Sequence, residues 1–251
     1  MAPQIPQSQH TITLLGLGIA IPTHTDAWTL AELQRSDAAY HLLAGPIEVE
    51  WINKIRPDAI SLMPFYSQYK ARIEVYRAMA DAVIQSARKN RLVAVMFYGH
   101  PMVGSTISQL IWRAATRENI FVRALPSISS MDCLFADLGF DPMLAGVLIA
   151  DASQIIHPAK HILPNRSVPL ILLQVGLTGI YDVPSFSDAL HPNLDALIEV
   201  LVEVYSIEHE VALYEAPVHL AFQPKVQWCP IRELDQQSFT LATTLFVPSR
   251  L

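Results

Sequence analysis

The chain has 251 residues, 51% apolar and only 16% charged, with a formal net charge of −6, and is long enough to bury a sizeable core as one large or two smaller domains. The acidic balance and the lack of any Lys/Arg-rich block argue against a nucleic-acid backbone as the main partner. Gly, Pro, Gln and acidic residues interrupt every apolar run before the roughly 18 to 20 residues that a bilayer span requires, so no membrane partner is expected.

Residues 1–10 carry neither a basic start nor an apolar segment and read as a short disordered lead, which predicts a soluble, cytoplasmic protein. Ile12-Thr13-Leu14-Leu15, bounded by Gly16 and Gly18 and stopped by Pro22, predicts a first strand over Thr11 to Leu17. Asp26 is a candidate N-cap for a helix over Ala27 to Arg35 with Leu30 and Leu33 inward. A short strand near Tyr40 to Leu43 ends at Gly45-Pro46, and a second helix covers Val49 to Lys54. Tyr66 to Arg88 has the strongest helical periodicity in the chain. Leu92 to Phe97 is a run of six apolar residues that reads as a strand buried on both faces, as in a parallel sheet, and it breaks at Tyr98-Gly99-His100-Pro101. Polar groups placed beyond the carboxyl end of such a strand are where open α/β sheets bind ligands. Ser105 to Arg117 then reads as a helix and Ile120 to Leu125 as the next strand.

In the second half, Ser129 or Ser130 starts a helix through Leu138, Ala145 to Ala150 is extended, and Val168 to Val175 is a buried strand ending in Gln174-Val175-Gly176. Asn193 to Tyr205 is a helix, Glu210 to Glu215 a strand, and Ser238 to Pro248 a last strand. The first half alternates strand and helix, which implies a parallel sheet covered on both faces. Strands succeed one another with less helix in the second half, which implies antiparallel pairing. The reading is two α/β domains, 11–124 and 125–251.

Several signals point away from other chemistries. Gly16-Leu17-Gly18 lacks the third glycine of a dinucleotide fingerprint, since Ile21 and Pro22 occupy that stretch. His157 and His161 are four apart, but no adjacent glutamate completes a zinc motif and Pro158 and Pro164 disfavour a regular helix, so no metal is expected. Cys133 and Cys229 lie outside any C-x-x-C pattern and read as small buried side chains. Serine-hydrolase and phosphate-loop patterns are missing.

Tyr98-Gly99-His100-Pro101, then Leu125-Pro126-Ser127-Ile128-Ser129-Ser130, then Asp132 to Pro142, Leu172 to Gly176, Ala212 to Glu215 and Ala242 to Pro248 together resemble the tetrapyrrole methylase superfamily. Within it the chain is most similar to the borosin peptide backbone N-methyltransferase branch. The resemblance implies a homodimeric two-domain α/β fold that binds S-adenosylmethionine in a cleft between the halves. It implies cofactor contacts at Tyr98, His100, Val103, Ser129, Ser130, Gln174, Leu213 and Thr243. Met102 and Ser127 stand where the family often has glycine.

Tyr69, Arg72 and Tyr76 are spaced to share one helix face, with Tyr66 at its edge. The spacing alone equally describes a buried stripe of Tyr69, Ile73, Tyr76, Met79, Ala80 and Val83. The resemblance assigns Tyr66, Arg72 and Tyr76 to the acceptor site. An amide nitrogen is a poor nucleophile because its lone pair is delocalised into the carbonyl, so a cation for the oxygen and a proton acceptor for the N–H suit its methylation. Met63 stands three residues before Tyr66, where the branch has a tyrosine. No peptide extension follows Pro248, so the precursor peptide is expected as a separate chain. C-methylation of a tetrapyrrole ring, or cofactor binding without turnover, are the other readings.

Overall fold

The computed structural model describes residues 10–157, 162–184, 190–219 and 221–249, and the chain divides into two units, Met1–Ser129 and Ser130–Leu251. The expected N-terminal lead, apart from His10, and His161 of the set-aside histidine pair lie outside the described residues. No helix among the described residues is long and apolar enough to cross a membrane.

The first unit carries strands β1 (Thr11–Gly16), β2 (Ala38–Leu42), β3 (Ile60–Ser61), β4 (Leu92–Phe97) and β5 (Phe121–Leu125). They form one sheet in the order β3-β2-β4-β1-β5, parallel throughout. Helices α1 (Ala27–Arg35), α2 (Pro46–Ile55), α3 (Arg72–Ala87) and α4 (Thr106–Arg117) connect them. Leu33 of α1 and Ile52 of α2 join Leu15, Leu17, Ala39, Leu43, Ala94 and Met96 in one core layer, and α3 and α4 pack together and against β4 and β5. Both faces of the sheet are therefore covered, which is why its strands read as continuous apolar runs.

The helix starts follow from side-chain caps. Asp26 accepts from the N–H groups of Trp28 and Thr29, and Ser105 accepts from that of Ser108, satisfying donors that have no partner within the helix. The predicted helix over Tyr66 to Arg88 is corrected: a 3-10 turn occupies Met63–Ser67 and α3 begins only at Arg72. Ala71 is extended and offers no side-chain cap. Tyr69 and Ile73 are exposed, and the buried stripe of α3 is Val75, Met79, Ala80, Val83, Ile84 and Ala87.

The second unit carries β6 (Leu148–Asp151), β7 (Leu170–Leu173), β8 (Glu210–Glu215), β9 (Lys225–Pro230) and β10 (Thr244–Val247), with α5 (Ser130–Asp137), short α6 (Pro142–Ala145) and α7 (Ala152–Ile155), and α8 (Asp195–Val204). The sheet order is β6-β7-β10-β8-β9. The β6/β7 pair is parallel and the rest antiparallel. Side chains alternate between two layers, as strand geometry requires: Leu170, Leu172, Val211, Leu213, Leu245 and Val247 face α8, while Ile171, Ala212, Tyr214 and Phe246 face Leu134 of α5. The extended segment expected at Ala145 to Ala150 is displaced to Leu148–Asp151, because Asp141 caps a helical turn ahead of it. Strand β9 had no counterpart in the sequence reading.

A carboxylate ties the first unit's layers together. Glu32 of α1, only 7% exposed, pairs with Arg35 at 2.8 Å and with Arg123 of β5. Removing one partner of a buried ion pair costs about 3 kcal/mol, so Glu32→Ala should lower the urea midpoint by that equivalent. An unchanged midpoint would show the pair to be energetically silent.

Candidate active site

In the first unit, β1 and β4 are neighbours whose chains leave in opposite directions. From β1 the chain passes through α1 to β2 on the far side of β4, and from β4 it passes through α4 to β5 on the far side of β1. Such a switch point opens a crevice beyond the carboxyl ends of the strands. Three glycines sit where the two chain paths leave the sheet. A Cβ on Gly16 would lie 2.5 Å from Ser127 Cβ and 2.7 Å from the Gly99 carbonyl oxygen and Pro101 Cδ. Gly18 and Gly99 both have left-handed backbones, φ 78° and 71°, and exchange hydrogen bonds, with Gly99 N–H donating to Gly18 at 2.9 Å and Gly18 N–H to Gly99 at 3.3 Å. A Cβ on Gly99 would meet only Ile19, at 3.4 Å. The main chain there is bare and open to close approach.

Tyr98, His100 and Val103 follow directly. Tyr98 is 39% exposed. Met102 N–H donates to His100 Nδ1 at 3.1 Å, which puts the proton of a neutral ring on Nε2, and Val103 N–H donates to the His100 carbonyl at 3.2 Å. Ser127, beyond β5, has a buried hydroxyl without a protein partner. Ser129, 3% exposed, closes the first unit.

Tyr66, Arg72 and Tyr76 lie at the same carboxyl edge of this sheet, after β3. The Tyr66 and Tyr76 rings meet edge to face with centroids 6.4 Å apart. On one continuous helix those positions would be separated by about 15 Å along the axis. The break between the 3-10 turn and α3 is what brings them together. Burial, then the neighbouring Tyr76 and a hydrogen bond with it, push the Tyr66 phenol well above its ordinary range, against an opposing effect of Arg72. Tyr66 therefore stays protonated. Arg72 is the first residue of α3, whose start lacks a side-chain cap, so its guanidinium adds to the partial positive charge of the helix N-terminus.

In the second unit, Gln174 is left-handed, φ 58°, at the end of β7, Glu215 ends β8 and Thr243 immediately precedes β10. The antiparallel pairing sets these three at one end of the sheet. Thr243 is 1% exposed; its hydroxyl donates to Glu215 Oε1 at 2.7 Å and accepts from Thr240 N–H at 2.8 Å. Thr240 Oγ1 donates to the same carboxylate oxygen at 3.0 Å, and Lys225 Nζ lies 3.6 Å from it. Leu213 is a core side chain facing α8, and Ser130 is the first residue of α5. Glu215, Thr240 and Lys225 escaped the sequence reading, because nothing in their spacing marks a row formed across strands. Among the described residues no His, Cys, Asp and Glu gather into a metal-binding group. Cys133 and Cys229 are free thiols, and burial with Asp137 and Asp132 nearby pushes Cys133 up to about 11.

The profile of the tetrapyrrole (corrin/porphyrin) methylases matches residues 11–216. A methyltransferase/ribosomally synthesized type I borosin cyclic peptide precursor of Mycena rosella is 30% identical over 96% of this chain and 60% of its own length. A type I counterpart from Coprinopsis marcescibilis is 29% identical over 95% and 62%. A type III counterpart from Anomoporia bombycina is 28% identical over 95% of this chain and 28% of its own length. The chain thus spans less than two thirds of these relatives. Uroporphyrin-III C-methyltransferase of Thermus thermophilus shares the fold with a TM-score of 0.66 at 21% identity, covering 96% and 94% of the two chains. Its structure complexed with S-adenyl homocysteine gives 0.61 at 12% identity, covering 95% and 92%.

The Tyr66 shift has a stability consequence. Phenols of the unfolded chain ionise near 10.0, below Tyr66 in the folded chain, so its contribution is full below that pH and is lost as pH climbs beyond it. Tyr66→Phe should flatten the fall of unfolding free energy above pH 10. Equal slopes for the two proteins would refute the assignment.

Proposed function

The chain belongs to the tetrapyrrole (corrin/porphyrin) methylases, and from that premise we propose that it binds S-adenosylmethionine and methylates backbone amide nitrogens of a separate precursor peptide, as a cytoplasmic homodimer. The observation that carries this reading is the Tyr66, Arg72, Tyr76 cluster at the same sheet edge as the Gly16, Gly18, Gly99 crevice. The names of the borosin relatives, which couple methyltransferase and peptide precursor, support a peptide as the acceptor. Met143 and Leu144, 88% and 86% exposed, are apolar surface that a second copy would cover.

The residues present fit the cofactor. Bare main chain at Gly99 and the unsatisfied Ser127 hydroxyl suit a ligand bound by backbone and small polar groups. Tyr98, His100, Val103 and Ser129 of the first unit would hold it there; Ser130, Gln174, Leu213 and Thr243 are contacts that the family resemblance alone adds. When bound, S-adenosylmethionine supplies an electrophilic methyl group on a sulfonium. The protein's part is to align the acceptor and prepare its nitrogen. Arg72 and the N-terminus of α3 stabilise negative charge on the amide oxygen as the N–H proton departs. Tyr76, whose ring meets that of Tyr66 edge to face, would relay that proton, its hydroxyl passing its own hydrogen to solvent as it receives the amide's.

Calorimetry with S-adenosylhomocysteine tests the cofactor. Mass spectrometry of added peptides tests the acceptor, each transfer adding about 14 Da. Arg72→Ala and Tyr76→Phe should each slow methylation on the order of 100-fold or more while binding the cofactor as the parent does. Cofactor binding with no mass gain in any peptide would remove the amide reading.

A further inference from the structure

His41 is a titratable side chain inside an apolar layer. It lies on β2, 3% exposed, between Ala39 and Leu43, which pack with Leu33 of α1 and Ile52 of α2. Successive side chains of a strand alternate between faces, so His41 points to the same helix-covered side. Its ring nitrogen Nδ1 is buried and has no hydrogen-bond partner among the described residues. A neutral imidazole tolerates such a place, because one of its nitrogens carries no hydrogen. An imidazolium must give two hydrogens, and one of them would meet no acceptor.

No counter-charge is at hand. The neighbouring strands β3 and β4 carry no ionisable side chain. On α1, Asp26 caps the helix start and Glu32 is held by Arg35 and Arg123. On α2, Glu50 is paired with Lys54, and Glu48 folds back on its own helix start, where a Cβ on Gly45 would collide with its carboxylate. Arg56 beyond α2 binds Asp58, and Asp37 before β2 accepts the N–H of Leu92. None of these moves the ring; burial alone holds His41 below its ordinary value.

The sheet edge depends on β2 at this point. β3 is the outermost strand, two residues long, and pairs with β2 alone, Tyr40 opposite Ile60 and His41 opposite Ser61. The His41 carbonyl accepts the N–H of Leu62 at 2.9 Å, and Ser61 Oγ accepts that of Met63 at 3.3 Å. The 3-10 turn that carries Tyr66 starts from these two bonds.

We propose that His41 is an acid-operated latch on this edge: protonation of its ring frees β3 and the Tyr66 turn from β2, while the second unit keeps its fold. A charge forced into the apolar layer is relieved when β2 gives way near its carboxyl end, and β3 has no other strand to hold it. In the opened chain the ring takes up its proton near 6.5, and in the closed chain only at lower pH. The closed edge is therefore fully favoured above pH 6.5 and loses ground below it, by at most about tenfold per pH unit for one proton. Neither cofactor nor peptide enters this step.

Amide hydrogen exchange at about pH 7.5 and about pH 5, corrected for intrinsic rates, tests the latch. In the parent, protection of residues 60–67 should fall by about fivefold or more between the two, while β8 and β10 keep theirs. His41→Leu and His41→Met, which fill the layer with uncharged side chains, should each limit that fall to about twofold or less. His24 and His100, whose Nδ1 atoms accept from Ala20 and Met102, are unchanged in both variants, so an effect of theirs would persist. An equal fall in parent and variants overturns the proposal, as does a parallel loss in β8 and β10. Absence of protection at residues 60–67 at the higher pH overturns it too, since nothing would be latched. So does a His41 Cε1–H resonance that titrates at or above 6.5 in the folded parent, a measurement that needs no variant to fold.

Discussion

The first unit depends on the crossing of two chain paths at Gly16, Gly18 and Gly99. Neighbouring parallel strands that send their chains in opposite directions must let the departing segments pass within backbone contact. Here the contact includes reciprocal hydrogen bonds between Gly18 and Gly99. Any side chain at Gly16 would collide with Ser127, Gly99 and Pro101 at once, and the left-handed backbones of the other two are costly for residues with a Cβ. The turn that orients Tyr98 and His100 inherits its shape from this crossing. So does the path into Ser105, whose hydroxyl starts α4. A site built on such a constraint is rigid before any ligand arrives, which is what alignment of reactants demands.

The second unit reaches a similar rigidity by charge. The central strands of its sheet are buried on both faces, with alternate residues of β7, β8 and β10 assigned to opposite layers, so their polar chemistry emerges at strand ends. Glu215 is placed there, and one carboxylate oxygen gathers two threonine hydroxyls. Bare glycine backbone in the first unit leaves the main chain accessible. A carboxylate in the second draws two threonine hydroxyls onto one oxygen. Both devices fix local geometry, one by space and the other by charge-assisted hydrogen bonds.

Much of this was readable from residue order. Asp26 and Ser105 mark helix starts because a short polar side chain before an apolar pattern has a definite partner in the first turn, and Glu210–Glu215 emerged with the bounds the structure has. Strand β9 was not readable. Its residues are mostly exposed and include Lys225 and Gln227, so neither a continuous apolar run nor a clean alternation announces them; pairing with β8 alone makes it a strand. The Glu215 row stayed hidden for a related reason. Residues 215, 225, 240 and 243 meet only after antiparallel pairing, and local periodicity carries no information about contacts across strands.

The interruption before α3 was invisible for the opposite reason. Lys70 and Ala71 contain no glycine or proline, so helical periodicity runs through them unbroken, yet the chain is extended at Ala71. The meeting of the Tyr66 and Tyr76 rings depends on that break. An unbroken helix would bury the first-turn N–H groups of α3 in its own hydrogen bonds and carry Tyr66 away from Tyr76. With the break, the start of α3, the Arg72 guanidinium and a tyrosine pair converge on one end of one helix. Burial holds the Tyr66 phenol in its protonated form, so the two neighbouring phenols are not equivalent.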